Sequence, residues 1–176
     1  MTDEQIMHRV CAGEISLVSE LFERHHRKLF RYAWRMTGDT QMSEDLVQDV
    51  FVKVLRHRDT FGAGSSFAAW MYSIARNAQN DSWRKRKREV PLDPRLEVAA
   101  AEPAVRGQEN EMLHRALLLL PDEMREVLVM HRFLGMSHAD IAQATGCDSG
   151  TSRARMHRAL NRLRRVYLGM TRRRIS

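Results

Sequence analysis

Ser137-His138-Ala139-Asp140-Ile141-Ala142-Gln143-Ala144-Thr145-Gly146-Cys147-Asp148-Ser149-Gly150-Thr151-Ser152-Arg153-Ala154-Arg155-Met156-His157-Arg158 contains the pattern that decides the fold. Ser137 with Asp140 three residues on has the form of a capping box, the acid standing in for the usual Glu. It opens a short helix with Ile141, Ala142 and Ala144 inward, and Gly146 stops that helix after about two turns. Asp148 then caps a longer helix. On it Ser152, Met156, Ala159, Leu160, Leu163 and Val166 take one side, while Arg153, His157, Arg158 and Arg164 point elsewhere. A short helix, a Gly-containing turn and a longer basic helix make a helix-turn-helix, whose second helix reads DNA.

Charge agrees with that geometry. Nine arginines and no acidic residue follow Asp148, a single-sign strip suited to phosphate contact. The whole chain carries a formal charge of +7 with Arg far in excess of Lys, and forked guanidinium groups suit phosphates and base edges; nucleic acid is the leading partner. Its 176 residues suffice for one mid-sized domain or two small ones, and 43% hydrophobic against 29% charged residues can bury a core. Few Gly and Pro, with Leu, Ala, Met, Arg and Glu abundant, predict an all-α protein.

The composition also excludes. Cys11 and Cys147 lie far apart, giving no disulfide framework and no zinc spacing; His8 sits a turn from Cys11 and His25 adjoins His26, without a complete tetrahedral set. No metal and no cofactor is expected. A Gly-rich phosphate loop, an HExxH and a nucleophile elbow are all missing, so no enzyme and no small-molecule substrate is expected. With no leader and no apolar run of about 18 residues, the reading is cytoplasmic, without membrane insertion.

Upstream, residues 3–9 form a short amphipathic helix, and Leu17, Leu21, Phe22, His25, Leu29, Tyr32, Ala33 and Met36 define a long one stopped by Gly38. Ser43 reads as the N-cap of a third, with Glu44, Asp45, Gln48 and Asp49 opposite Leu46, Val47, Val50 and Val54. Phe67, Trp70, Met71, Ile74, Ala75 and Ala78 begin a fourth that runs into a basic cluster at 84–88. Periodicity disappears from 90 to 108 among Pro91, Pro94 and Pro103, which reads as a flexible linker. A helix resumes at 112–120, and Pro121, Asp122 and Glu123 open the next, with Met124, Val127, Leu128 and His131 inward.

The segment Leu120-Pro121-Asp122-Glu123-Met124-Arg125-Glu126-Val127-Leu128, then 135–142 and 150–160, resembles region 4 of the extracytoplasmic-function sigma factors of bacterial RNA polymerase. Asp45-Leu46-Val47-Gln48-Asp49-Val50-Phe51 and the stretch from Phe67 to Asn77 look like region 2 of the same family. The resemblance implies two small helical domains, residues 1–90 and 111–176, joined by a linker at 91–110. It implies a subunit that joins polymerase core, directs it to promoter DNA and helps melt it, with an anti-sigma factor as a further partner.

By matching positions, Asp45, Gln48, Asp49 and Phe51 would dock on a coiled coil of the largest polymerase subunit. Thr151, Arg153, Arg155, His157 and Arg158 would meet the minus-thirty-five element. Arg76, Asn77, Asn80, Arg84 and Lys87 would hold the minus-ten strand, while Phe67, Trp70 and Tyr72 are either stacking platforms or core. Two departures stand out: Ser152 replaces a usually buried Val, and Ala154 a usual Ser. The rival reading is an ordinary helix-turn-helix regulator that binds an operator as a dimer, with its N-terminal helices used for dimerisation.

Overall fold

In the computed structural model, residues 1–89 and 111–175 are described, and of these the side chains of 1–82 and 111–172. The expected linker at 91–110 and the side chains of Arg84 and Lys87 lie outside the described residues. Among those residues the chain is helical without a strand, as its composition predicts.

Thr2 begins α1 (Asp3–Cys11) with a complete capping box: its hydroxyl accepts from Gln5 N at 3.3 Å and its own N–H donates to Gln5 Oε1 at 2.9 Å. A short 3-10 turn leads into α2 (Val18–Thr37), which ends at Gly38. There φ is +73°, the N–H donates to Trp34 O at 2.8 Å, and a Cβ would stand 3.0 Å from Leu118 Cδ1, so backbone and packing both favour glycine. The tight stop places Asp39, not Ser43, as the cap of α3 (Thr40–Arg56), with the Asp39 carboxylate accepting from Met42 N at 2.9 Å. The expected N-cap is thereby corrected: Ser43 lies one turn inside the helix, buried, its hydroxyl donating to Asp39 O at 2.6 Å. α4 (Phe67–Glu89) completes the N-terminal half around Ile6, Val10, Leu29, Val50, Val54, Phe67 and Met71, all fully buried.

The C-terminal half consists of α5 (Glu111–Leu118), α6 (Asp122–Leu128), which runs on as a π turn over Val129–Phe133, then α7 (His138–Thr145) and α8 (Ser149–Ile175). Ser137 caps α7 by accepting from Asp140 N at 3.1 Å, and its hydroxyl donates to Asp140 Oδ2 at 2.7 Å. Gly146, at φ +69°, closes α7. Ser152, Met156 and Ala159 face inward on α8 as expected, but Leu160, assigned to that side, is 37% exposed. Periodicity from 152 continues through 156, 159 and 163, which turns position 160 away.

The two halves are not independent in this structure. α2 packs on α5, α6 and the π turn, α4 packs on α7, and one continuous apolar cluster runs from Ile6 to Ala159. The seam also buries charge. Arg125 donates across it to Met36 O at 2.6 Å and, within its own half, to the carbonyls of Leu117, Leu118 and Leu120 at 2.9–3.0 Å. Arg35 lies 4.1 Å over the Phe133 ring, and His114 stacks on Trp34 at 3.6 Å.

Candidate nucleic-acid and polymerase interface

α8 begins at a cap formed within its first turn. Asp148 Oδ1 accepts from Thr151 N at 2.8 Å and Oδ2 from Thr151 Oγ1 at 2.6 Å; these bonds hold the Asp148 carboxyl below its ordinary pKa. Of the residues expected at the minus-thirty-five element, Arg153, His157 and Arg158 are exposed, and Arg153 makes no ion pair among the described residues. Thr151 is half-buried with its hydroxyl engaged by the cap, and Arg155 is half-buried with its guanidinium 3.1 Å from Glu123 Oε2. Ser152 beneath them is fully buried, 2.9 Å from His138 Nδ1. Sequence reasoning passed over His138, although a serine at an inward helical position calls for a partner within reach.

α4 is placed differently. Asn77 and Asn80 are exposed, but Arg76 is turned toward the C-terminal half, its Nε donating to Glu126 Oε2 at 3.1 Å. Glu126 is 5% exposed and also accepts from Tyr32 Oη at 3.3 Å; burial pushes its carboxyl above the ordinary pKa, against the pull of Arg76. The helix start already contained Glu126, but its burial could be read only from the packing of the halves. Phe67 and Tyr72 are core, and Trp70 is half-buried beside Phe61 and Phe67, its Nε1 donating to Thr60 Oγ1 at 3.3 Å.

On α3, Gln41, Asp45, Gln48 and Val52 form an exposed stripe, with Glu44 beside it. Asp45 Oδ1 accepts from Gln41 Nε2 at 3.0 Å and Asp49 pairs with Lys53 at 2.8 Å. Phe51, expected on the same surface, is 8% exposed and packs edge-on against Phe22. Asp45 and Asp49 share a cleft of about 130 Å³ with Gln79 and Ser82 of α4, so the acidic face of α3 and α4 adjoin.

Cys11 is half-buried with its thiol donating to Arg58 O at 3.1 Å, and burial raises its pKa, which disfavours the reactive thiolate. Among the described residues, no three His, Cys, Asp or Glu gather as metal ligands, and no helix is long and apolar enough to cross a membrane.

Comparison with known proteins connects these surfaces. Residues 21–89 match the Sigma-70 region 2 family and residues 110–163 match Sigma-70, region 4. The chain is 32% identical over 169 residues to the ECF RNA polymerase sigma factor SigL of Mycobacterium tuberculosis, covering 92% of this chain and 96% of that one. It is 35% identical over 136 residues to EcfG of Rhodopseudomonas palustris, 75% of each chain. Among solved structures, the sigma factor RpoE in complex with the anti-sigma factor NepR from Bartonella quintana superposes with a TM-score of 0.73 at 30% identity, covering 84% of this chain and 94% of that one. The N-terminal half matches region 2 itself, which disfavours the dimeric-regulator reading. The chain belongs to the ECF sigma factors of the sigma-70 family, the alternative sigma factors of RNA polymerase.

Proposed function

We propose that the two halves divide promoter recognition, acting in the cytoplasm as a non-enzymatic subunit of polymerase holoenzyme. The stripe of Asp45 and Gln48, with Asp49 beside it, presents carboxylates and an amide to a charged helical surface of polymerase core, and exposed Val52 adds apolar contact. Phe51 supports that stripe from below, through its packing on Phe22. Arg153, His157 and Arg158 enter the major groove at the minus-thirty-five element, where a guanidinium takes guanine O6 and N7 bidentately. Thr151 serves there mainly as part of the cap. Arg155 is steered by Glu123.

Asn77 and Asn80 read unstacked minus-ten bases, with Arg76, Arg84 and Lys87 following the backbone. No step breaks a covalent bond. Base extrusion costs a few kcal/mol, which these contacts offset. An anti-sigma factor is the regulatory partner, because the sigma factor RpoE, a solved relative, is bound to one. The observation that carries this reading is one chain presenting an acidic docking stripe on α3 and outward arginines on α8.

The test is run-off transcription with purified core polymerase, with and without the protein, on promoter fragments from its own genome. Specific new transcripts are expected. Core binding lost in Asp45→Ala/Gln48→Ala with an unchanged melting temperature places docking on α3; undiminished core binding by that variant refutes it.

A further inference from the structure

Ser152 is the fully buried polar side chain on α8 among the described residues, at a position flanked by Thr151 and Arg153. A buried hydroxyl without a partner is costly. His138, the first residue of α7, supplies one through Nδ1 at 2.9 Å. The His138 ring in turn stacks on His131, with centroids 4.5 Å apart and planes 23° from parallel. His131 is itself fixed, its Nδ1–H donating to Met136 O at 2.9 Å. A polar chain therefore runs from the loop before α7, through the π turn and α7, into the first turn of the DNA-reading helix. Burial, His131 and Arg153 all hold the His138 ring below its ordinary pKa, which favours its neutral form.

An apolar residue at 152 would pack under α8 and tolerate small rolls of the helix, since apolar burial is non-directional. A hydrogen bond is directional. The distinction matters at the helix surface: side-chain tips lie about 6 Å from the axis, so a roll of roughly 10° moves them by about 1 Å. A displacement of that size is enough to spoil a bidentate contact to a base edge.

We infer that His138 is a positioning residue for promoter reading: its hydrogen bond to buried Ser152, braced by the stacked His131, sets the roll of α8 and so which bases Arg153 and its neighbours read. The inference rests on α8 as the minus-thirty-five reader.

The test uses the full chain with core polymerase and a duplex pool randomised over the minus-thirty-five position. The parent holoenzyme is expected to enrich a motif; enrichment of none overturns the α8 reading and this inference with it. With the motif in hand, His138→Leu and Ser152→Ala are each expected to lower the affinity ratio between the motif and single-base variants about tenfold, within the worth of one bidentate base contact. Affinity for random-sequence duplex should stay within about twofold, because phosphate contacts remain. His138→Asn, which can place a polar atom near the Nδ1 position, should keep the ratio.

The double variant His138→Leu/Ser152→Ala leaves neither partner orphaned. It should recover the parent's melting temperature while discrimination stays low. Parental base ratios in the single variants, or equal losses on every duplex, mean that the pair only satisfies a buried hydroxyl and overturn the inference. The double variant decides the question even if one single variant folds poorly.

Discussion

Arg76 on α4 and Arg153 on α8 are both expected at promoter DNA, yet the fold treats them differently. The Arg76 side chain is 29% exposed with its Nε committed to Glu126, whereas Arg153 faces solvent with no ion pair among the described residues. The Glu126 carboxylate offers Arg76 the charge and the acceptor oxygens that a DNA phosphate would. On the proposed reading, the minus-thirty-five surface is ready as folded, whereas Arg76 becomes free for the minus-ten strand only when the C-terminal half releases it. The Arg76–Glu126 pair itself adds little resistance to that release, since buried ion pairs contribute little net stability once desolvation is counted; the apolar cluster that spans the halves carries most of the contact.

The comparison fails first if the seam is not held as described, and Arg125 is the place to strike. Arg125→Met removes the donor to the carbonyls of Met36, in the other half, and of Leu117, Leu118 and Leu120; Leu117 O keeps the Leu120 N–H, but Met36 and Leu120 lose their side-chain donor in the core. Leaving buried carbonyls unsatisfied costs about 1–3 kcal/mol each, to be read by urea denaturation. A loss under about 1 kcal/mol would mean that the seam is held elsewhere.

Next comes His114, 1% exposed, with both ring nitrogens lacking a partner against Trp34. Burial, then Arg35 and Arg125, lower its pKa from 6.5 to about 4. When the halves part, the ring recovers its ordinary value. Their contact is thus fully supported above pH 6.5 and weakens as pH falls toward 4, by up to about 3 kcal/mol. Glu126 acts oppositely, because its raised pKa favours the closed form once it is protonated. Energy transfer between dyes on the two halves should fall on acidification from pH 7 to 5, and His114→Phe should abolish or reverse that fall.

How far all this could be read from the sequence differs between the same two helices. The helix-turn-helix was legible because its signals are local: Ser137, Gly146 and Asp148 each act within a few residues of themselves. Asp39 displaced Ser43 as a cap because the geometry of the Gly38 stop, not the residue type, chooses between two good caps four residues apart. Phe51 illustrates a different limit. Its position on the docking motif says nothing of whether the ring faces out or packs on Phe22. Arg76, Glu126 and Tyr32 meet across separations no periodicity registers, so the engagement of α4 appears only once the halves are packed.

Glu126→Gln sharpens the comparison at a smaller scale. It removes the charge that holds Arg76, and should raise affinity for a single-stranded minus-ten oligonucleotide about tenfold, the low end of what one charge-assisted bond is worth. Binding of minus-thirty-five duplex should not change. Equal gains on both ligands would point to a general charge effect and dissolve the distinction. On the other helix, Arg153→Ala should cost about 1–3 kcal/mol if Arg153 reads a base, with specificity relaxed at that one position.

The smallest effect concerns Arg155, which carries both characters on one helix. It is half-buried on α8 and 3.1 Å from Glu123, whose side chain is 64% exposed. A pair this open to water contributes at most about 1 kcal/mol and is screened by salt. Glu123 therefore aims Arg155 rather than withholding it, in contrast to Glu126 and Arg76. Glu123→Gln should change minus-thirty-five duplex affinity by no more than about threefold, and the change should shrink as salt rises. If Glu123→Gln instead raised affinity as much as Glu126→Gln raises it at the minus-ten strand, α8 too would be held back by its own half. The difference between the two helices would then be one of degree.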